Sequence, residues 1–182
     1  GTTIAYWQDE RKVVETLARD GERAGYHVHY RPHPRQRREH VAFVGELSNV
    51  TLDGEWRQQS ENGGGFSPRP ADSGHLRGVL DRCACVVASV STVAVEAARR
   101  GVPTCMVGFG FDMPAHATWE HMAPLLMWPG IFVCADMDDL LARVALARRG
   151  DYDAYRTTLM ALAEQVARNR DGLARERIVE AL

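Results

Sequence analysis

Apolar residues in this chain follow two rhythms. Short unbroken apolar runs alternate with stretches where apolar positions recur every three or four residues. The first rhythm predicts buried strands and the second predicts amphipathic helices. Thr2–Trp7, apolar and partly β-branched, reads as a strand. Val13, Val14, Leu17 and Ala18 mark a helix that Gly21 and Gly25 close. Tyr26–Tyr30 is a second strand, stopped by Pro32 and Pro34, and Val41–Val44 and Val50–Leu52 are weaker strand candidates. Gln58–Ser73, rich in Gly, Pro and Ser, reads as a mobile loop, about 58–73.

Order returns with a helix over Leu76–Arg82 and a strand over Cys85–Ala88. A helix over Thr92–Arg100 and a strand over Pro103–Val107 follow. Ala115–Met127 is expected to be helical, Ile131–Cys134 a strand and Met137–Arg148 a helix. Tyr155, Leu159, Leu162 and Val166 share one helical face. Asn169–Gly172 interrupts it, and Ala174, Ile178 and Leu182 continue a terminal helix. The C-terminal helices thus cover about 152–182.

Alternating strands and helices define an α/β chain: a parallel sheet with helices on both faces. At 182 residues the expectation is a single Rossmann-like three-layer domain, 1–182, with a long C-terminal helical segment. Hydrophobic residues at 45% and charged residues at 25% fit a globular chain and exclude a disordered one. No apolar run approaches the roughly 20 residues of a membrane span. A net charge of −2 argues against a general nucleic-acid or membrane-surface binder. Cys83, Cys85, Cys105 and Cys134 lie in or beside apolar runs with no C-x-x-C pair, which reads as free thiols in a cytoplasmic protein.

In such sheets ligands sit beyond the carboxyl ends of the strands. The first strand end reads Arg31-Pro32-His33-Pro34-Arg35. The prolines stiffen the backbone around His33, which with Arg31 and Arg35 suits an anion; a proline-rich turn with a solvated histidine is the plain alternative. The second strand end runs into Ser91 and Thr92, then into a helix of small residues. Ser91 fits an N-cap, and the free amides beyond it favour an anion. Glu96 lies about 7.5 Å further along the axis, a separation that places a phosphate at the tip and a ribose over the carboxylate. An ordinary capped helix with one exposed glutamate explains the same residues. At the third strand end, Gly108 and Gly110 permit either a tight turn or backbone contact with a ligand, and the dinucleotide fingerprint fails at Met113.

Metal chemistry finds little local support. His27 and His29 alternate on one strand face without a third ligand nearby, and His116 to His121 reads H-x-x-x-E-H, one residue too long for the inverted zinc-protease motif. The sequence therefore predicts no metal and no resident cofactor. Neither a nucleophile elbow nor a P-loop is present.

Taken together, YHVHYRPHP at Tyr26–Pro34 resembles the strand and His-Pro motif of bacterial surface-polysaccharide glycosyltransferases of the GT-B fold. Related patterns occur in CDP-glycerol glycerophosphotransferases, polysialyltransferases and capsule Kdo-transferases. CVVASVSTVAVEAARRGVPTCMV at Cys85–Val107 is similar to the block in their nucleotide-binding half, and DGLARERIVEAL at Asp171–Leu182 to their last helix. The resemblance spans most of the chain in the right order. It implies a donor nucleotide site of Arg31, His33, Ser91, Thr92 and Glu96. His33 would meet the phosphate or base region, Ser91 and Thr92 the phosphates, and Glu96 the ribose. Leaving-group charge would be stabilised electrostatically, without a metal.

The family's fold has two such halves, and only the C-terminal, donor-binding one is recognisable here. The resemblance implies a partner acceptor domain N-terminal to it, carrying the catalytic base and any peripheral membrane contact. By itself the chain is expected to bind a nucleotide-activated sugar or polyol phosphate with little turnover. The alternatives are a nucleotide-sugar 2-epimerase-like domain and a non-catalytic module of the same fold.

Overall fold

The structure is a computed structural model that describes residues 7–33, 36–54, 56, 72–89, 91, 93–110 and 123–166. Helix α1 (Trp7–Ala24) leads to strand β1 (Val28–Tyr30), a helical turn α2 (Arg38–Val41) and a 3-10 turn (Ala42–Glu46). Strand β2 (Val50–Leu52) and helix α3 (Asp72–Leu80) follow. Next come β3 (Val86–Ala88), α4 (Val93–Arg99) and β4 (Thr104–Val107). A 3-10 turn (Ala123–Met127), β5 (Ile131–Cys134), α5 (Met137–Arg148), a 3-10 turn (Asp153–Tyr155) and α6 (Arg156–Val166) complete the described chain.

The fold is mixed α/β with two small parallel sheets among the described residues. One pairs β1 with β2, in register Val28 to Val50 and Tyr30 to Leu52. The other has the order β3-β4-β5, with Ala88 opposite Met106 and Val107 opposite Cys134. Strand β4 is buried at all four positions, so its side chains alternate between two apolar clusters. Met106 packs with Ala94 and Ala98 of α4 and Leu159 and Ala163 of α6. Cys105 and Val107 pack with Val13 and Leu17 of α1 and Leu140 and Val144 of α5. Burial of every β4 residue, the polar Thr104 included, is thus a consequence of helices on both faces.

Helix α1 ties the two sheets together. Val13 and Leu17 enter the cluster around β4, while Val14 and Ala18, one position on, join Tyr30, Val50 and Trp56 around β1 and β2. The i, i+4 pairs on adjacent stripes make a helix face wide enough to serve both. Helix α5 is fixed by its start. Asp136 Oδ1 accepts the Asp139 N–H at 2.8 Å, and Asp139 Oδ2 accepts the Ala135 N–H at 3.1 Å. That reciprocal arrangement resembles a capping box.

Several sequence expectations need correction. Residues 2–6 of the expected first strand lie outside the described residues, and Trp7 is already helical. Helix α1 also runs through Gly21 and closes at Gly25, where φ is +74°. Val41–Val44 is helical rather than extended. Val41, Phe43 and Val44 all bury in one cluster, whereas a strand would turn alternate side chains away. Asp72 and Ser73, expected in the loop, begin α3. The loop 58–71, the expected helix up to residue 122 and the terminal helix beyond 166 lie outside the described residues. Among the described residues no helix is long and apolar enough to cross a membrane.

Candidate functional site

The carboxyl ends of β1 and β2 converge on one buried acid. Asp53 follows β2 directly, and its N–H donates to the Tyr30 carbonyl at 2.8 Å, extending the ladder by one step. Strand alternation places His27 and His29 on the same face, as their spacing predicts. His27 Nε2 meets Thr51 Oγ1 at 2.6 Å, and His29 Nε2 meets Asp53 Oδ2 at 2.9 Å. His75, in the first turns of α3, brings its own Nε2 to the same Oδ2 at 2.9 Å. Arg31 Nη1 stands 3.6 Å from that oxygen. The other oxygen, Oδ1, accepts the Trp56 N–H at 3.0 Å.

Asp53 is fully buried, while His29, His75 and Arg31 are each about one-third exposed or less, with side-chain exposures of 26%, 35% and 33%. Burial alone would push the carboxyl up. The hydrogen bonds from His29, the Trp56 N–H and His75, with the Arg31 charge, outweigh it and hold the group well below the usual carboxylate range. Asp53 is therefore an anion that can only accept, so each histidine presents Nε2–H to it. Together these residues form a solvent-facing rim over a buried anionic base.

His33 sits one turn of chain away and is partly buried. Its carbonyl accepts Trp56 Nε1–H at 3.1 Å and the Gln36 N–H at 2.8 Å. Pro32 beside it is fully buried, so this backbone is anchored on both sides. Gln36 is 4% exposed, and neither atom of its side-chain amide has a hydrogen-bond partner among the described residues. Pro34 and Arg35 lie outside the described residues.

Ser91 Oγ accepts the Val93 N–H at 3.4 Å, and its carbonyl accepts the Ala94 N–H at 3.1 Å, so it opens α4. Glu96 has 45% of its side chain exposed, and its carboxylate lies 3.8 Å from Arg99 Nη1, one turn along the same helix. Thr92 lies outside the described residues. Gly108 donates its N–H to the Cys134 carbonyl at 2.9 Å, and a Cβ there would stand 2.5 Å from that oxygen. Its bare backbone thus serves close approach to β5. Gly110 has φ +67°, a turn conformation that glycine adopts freely.

All four cysteines are free, with Cys105 and Cys134 buried. Sequence reasoning did not single out Asp53 or His75. Period-two spacing correctly put His27 and His29 on one face, but the remaining members arrive from β2 and α3, 24 and 22 residues from their partners. Comparison with family models, curated proteins and solved structures finds no match.

Proposed function

We propose that this chain is the donor-binding half of a GT-B-type glycosyltransferase, taking a nucleotide-activated sugar or polyol phosphate for cell-surface glycan synthesis in the cytoplasm. The fold in this reading is a Rossmann-like three-layer domain with one parallel sheet in the order β2-β1-β3-β4-β5. Its support is the one buried cluster around Cys105 and Val107, against which Tyr26 and Val28 from the β1 side and Cys85 and Val87 from the β3 side all pack. That order carries Arg31 and His33 and the Ser91 corner to one sheet edge, where ligands of such sheets dock.

The observation that carries the reading is the corner after β3. Strand β3, half-buried at Val86 and Val87 and buried at Ala88, ends, Ser91 opens α4, and Glu96 follows with its carboxylate at the surface. Ser91, Thr92 and the first amides of α4 hold the diphosphate, as helix starts favour anions. Glu96 accepts the ribose hydroxyls, Arg31 and His33 add positive donors to the phosphates, and Gln36 offers a buried amide beside them. These groups stabilise charge on the departing nucleotide. An acceptor domain completes the enzyme and supplies the base.

Calorimetric titration with CMP, CDP and UDP tests this. One nucleotide should bind, and Glu96→Ala and His33→Ala should each weaken it about tenfold or more, equivalent to about 1.4 kcal/mol. A folded chain that binds none of them overturns the reading in favour of a non-catalytic module. Conversion of UDP-GlcNAc to its 2-epimer would replace it with the epimerase alternative.

A further inference from the structure

We propose that His29, Asp53 and His75 form a binding site for a divalent transition-metal ion. The ligand atoms are Nε2, Oδ2 and Nε2. Each histidine nitrogen lies 2.9 Å from the carboxylate oxygen, and all three atoms fall within 4.8 Å of one another. Two ligands, each about 2.1 Å from an ion, stand about 3.0 Å apart at a right angle and about 3.4 Å apart at the tetrahedral angle. The observed spacings therefore need adjustments of only a few tenths of an ångström at those two edges.

The donor set suits the borderline ions. Two imidazoles and one carboxylate match catalytic zinc and non-haem iron sites rather than magnesium or calcium, which take oxygen ligands. Three protein ligands leave at least one coordination position open. It faces outward, because the carboxylate is the buried member and both rings are partly exposed.

The carboxylate is also oriented as a metal ligand needs to be. Its Oδ1 is engaged by the Trp56 N–H at 3.0 Å, which leaves Oδ2 as the presented atom. On binding, each ring gives up its Nε2 proton, to its own Nδ1 or to solvent, exposing the Nε2 lone pair to the ion. Arg31 Nη1, 3.6 Å from Oδ2, opposes a bare cation. It is one-third exposed, so it can turn outward or pair with an anion in the open position.

This inference does not rest on the donor reading, since the probe is the metal alone. The full chain, stripped with chelator and dialysed, is titrated with Co²⁺ by visible absorption and with Zn²⁺ by calorimetry. One ion per chain should bind, and Co²⁺ should give the d–d bands of a low-coordinate nitrogen and oxygen site. His75→Ala and His29→Ala should each weaken binding by at least about tenfold. His27→Ala, on the same strand face but outside the cluster, should leave it unchanged. Asp53→Asn should abolish binding, and if that variant does not fold, His75→Ala decides the matter. Absence of Co²⁺ binding to a folded chain overturns the proposal. So does binding that survives both histidine substitutions.

Discussion

Asp53 concentrates the physics of this molecule at one residue. Its two oxygens accept three hydrogen bonds, from His29, His75 and the Trp56 N–H. An asparagine of the same shape has one accepting oxygen and cannot serve both sides. Asp53→Asn should therefore destabilise the fold by about 1–3 kcal/mol, the range for leaving a buried group unsatisfied, read as a lower urea midpoint with unchanged slope. An unchanged midpoint would mean that the histidines re-pair without cost. Gln36 is the opposite case, a buried amide without a partner among the described residues. Gln36→Leu should melt no earlier than the parent chain while weakening nucleotide binding; an earlier melt would reveal a structural partner. The candidate nucleotide residues were legible because each lies in a local pattern: a cap, a helix spacing, a proline-flanked histidine. Asp53 and His75 were not, because a single acid after a strand and a single histidine in a helix carry no local signature. Only the pairing of β1 with β2, and α3 laid over it, brings them to His29.

At the scale of elements, the strength of the apolar pattern decided what could be read. Strand β5 and helix α5 fall where the periodicity places them, because each has an apolar pattern or a firm boundary such as Asp136, and β2 falls at Val50–Leu52 although its three-residue pattern is weak. Val41–Val44 was misread because a four-residue apolar run has the same composition in a strand and in a buried turn, and only tertiary packing decides between them. The start of α3 was hidden by the glycine- and proline-rich stretch before it. Two substitutions test the packing. Met106→Ala, at a fully buried position between α4 and α6, should cost about 2–5 kcal/mol, measured by denaturant unfolding. A cost under 1 kcal/mol would mean that β4 is not buried on both faces. Gly108→Ala places a methyl group 2.5 Å from the Cys134 carbonyl and 2.8 Å from Val133 Cγ1. It should destabilise by about 1–3 kcal/mol, and a neutral result would mean that β4 and β5 are less closely apposed at that corner.

For the whole molecule, the question is whether two sheets act as one edge. Alternation of strands and helices made α/β with parallel pairing legible, since short parallel strands need helical crossovers. Strand order was not legible, because crossover handedness restricts arrangements without choosing among them. Val28, Cys85 and Val87 all pack against one buried cluster, which favours β1 beside β3, and on that neighbourhood depends a shared site for Arg31, His33, Ser91 and Glu96. Amide and side-chain NMR of the labelled chain, titrated with the nucleotide that binds, tests this most directly. The account predicts that signals from residues 31–36 and 91–96 shift together, saturating with one dissociation constant. Shifts confined to one of these segments, or lying elsewhere on the chain, would contradict it.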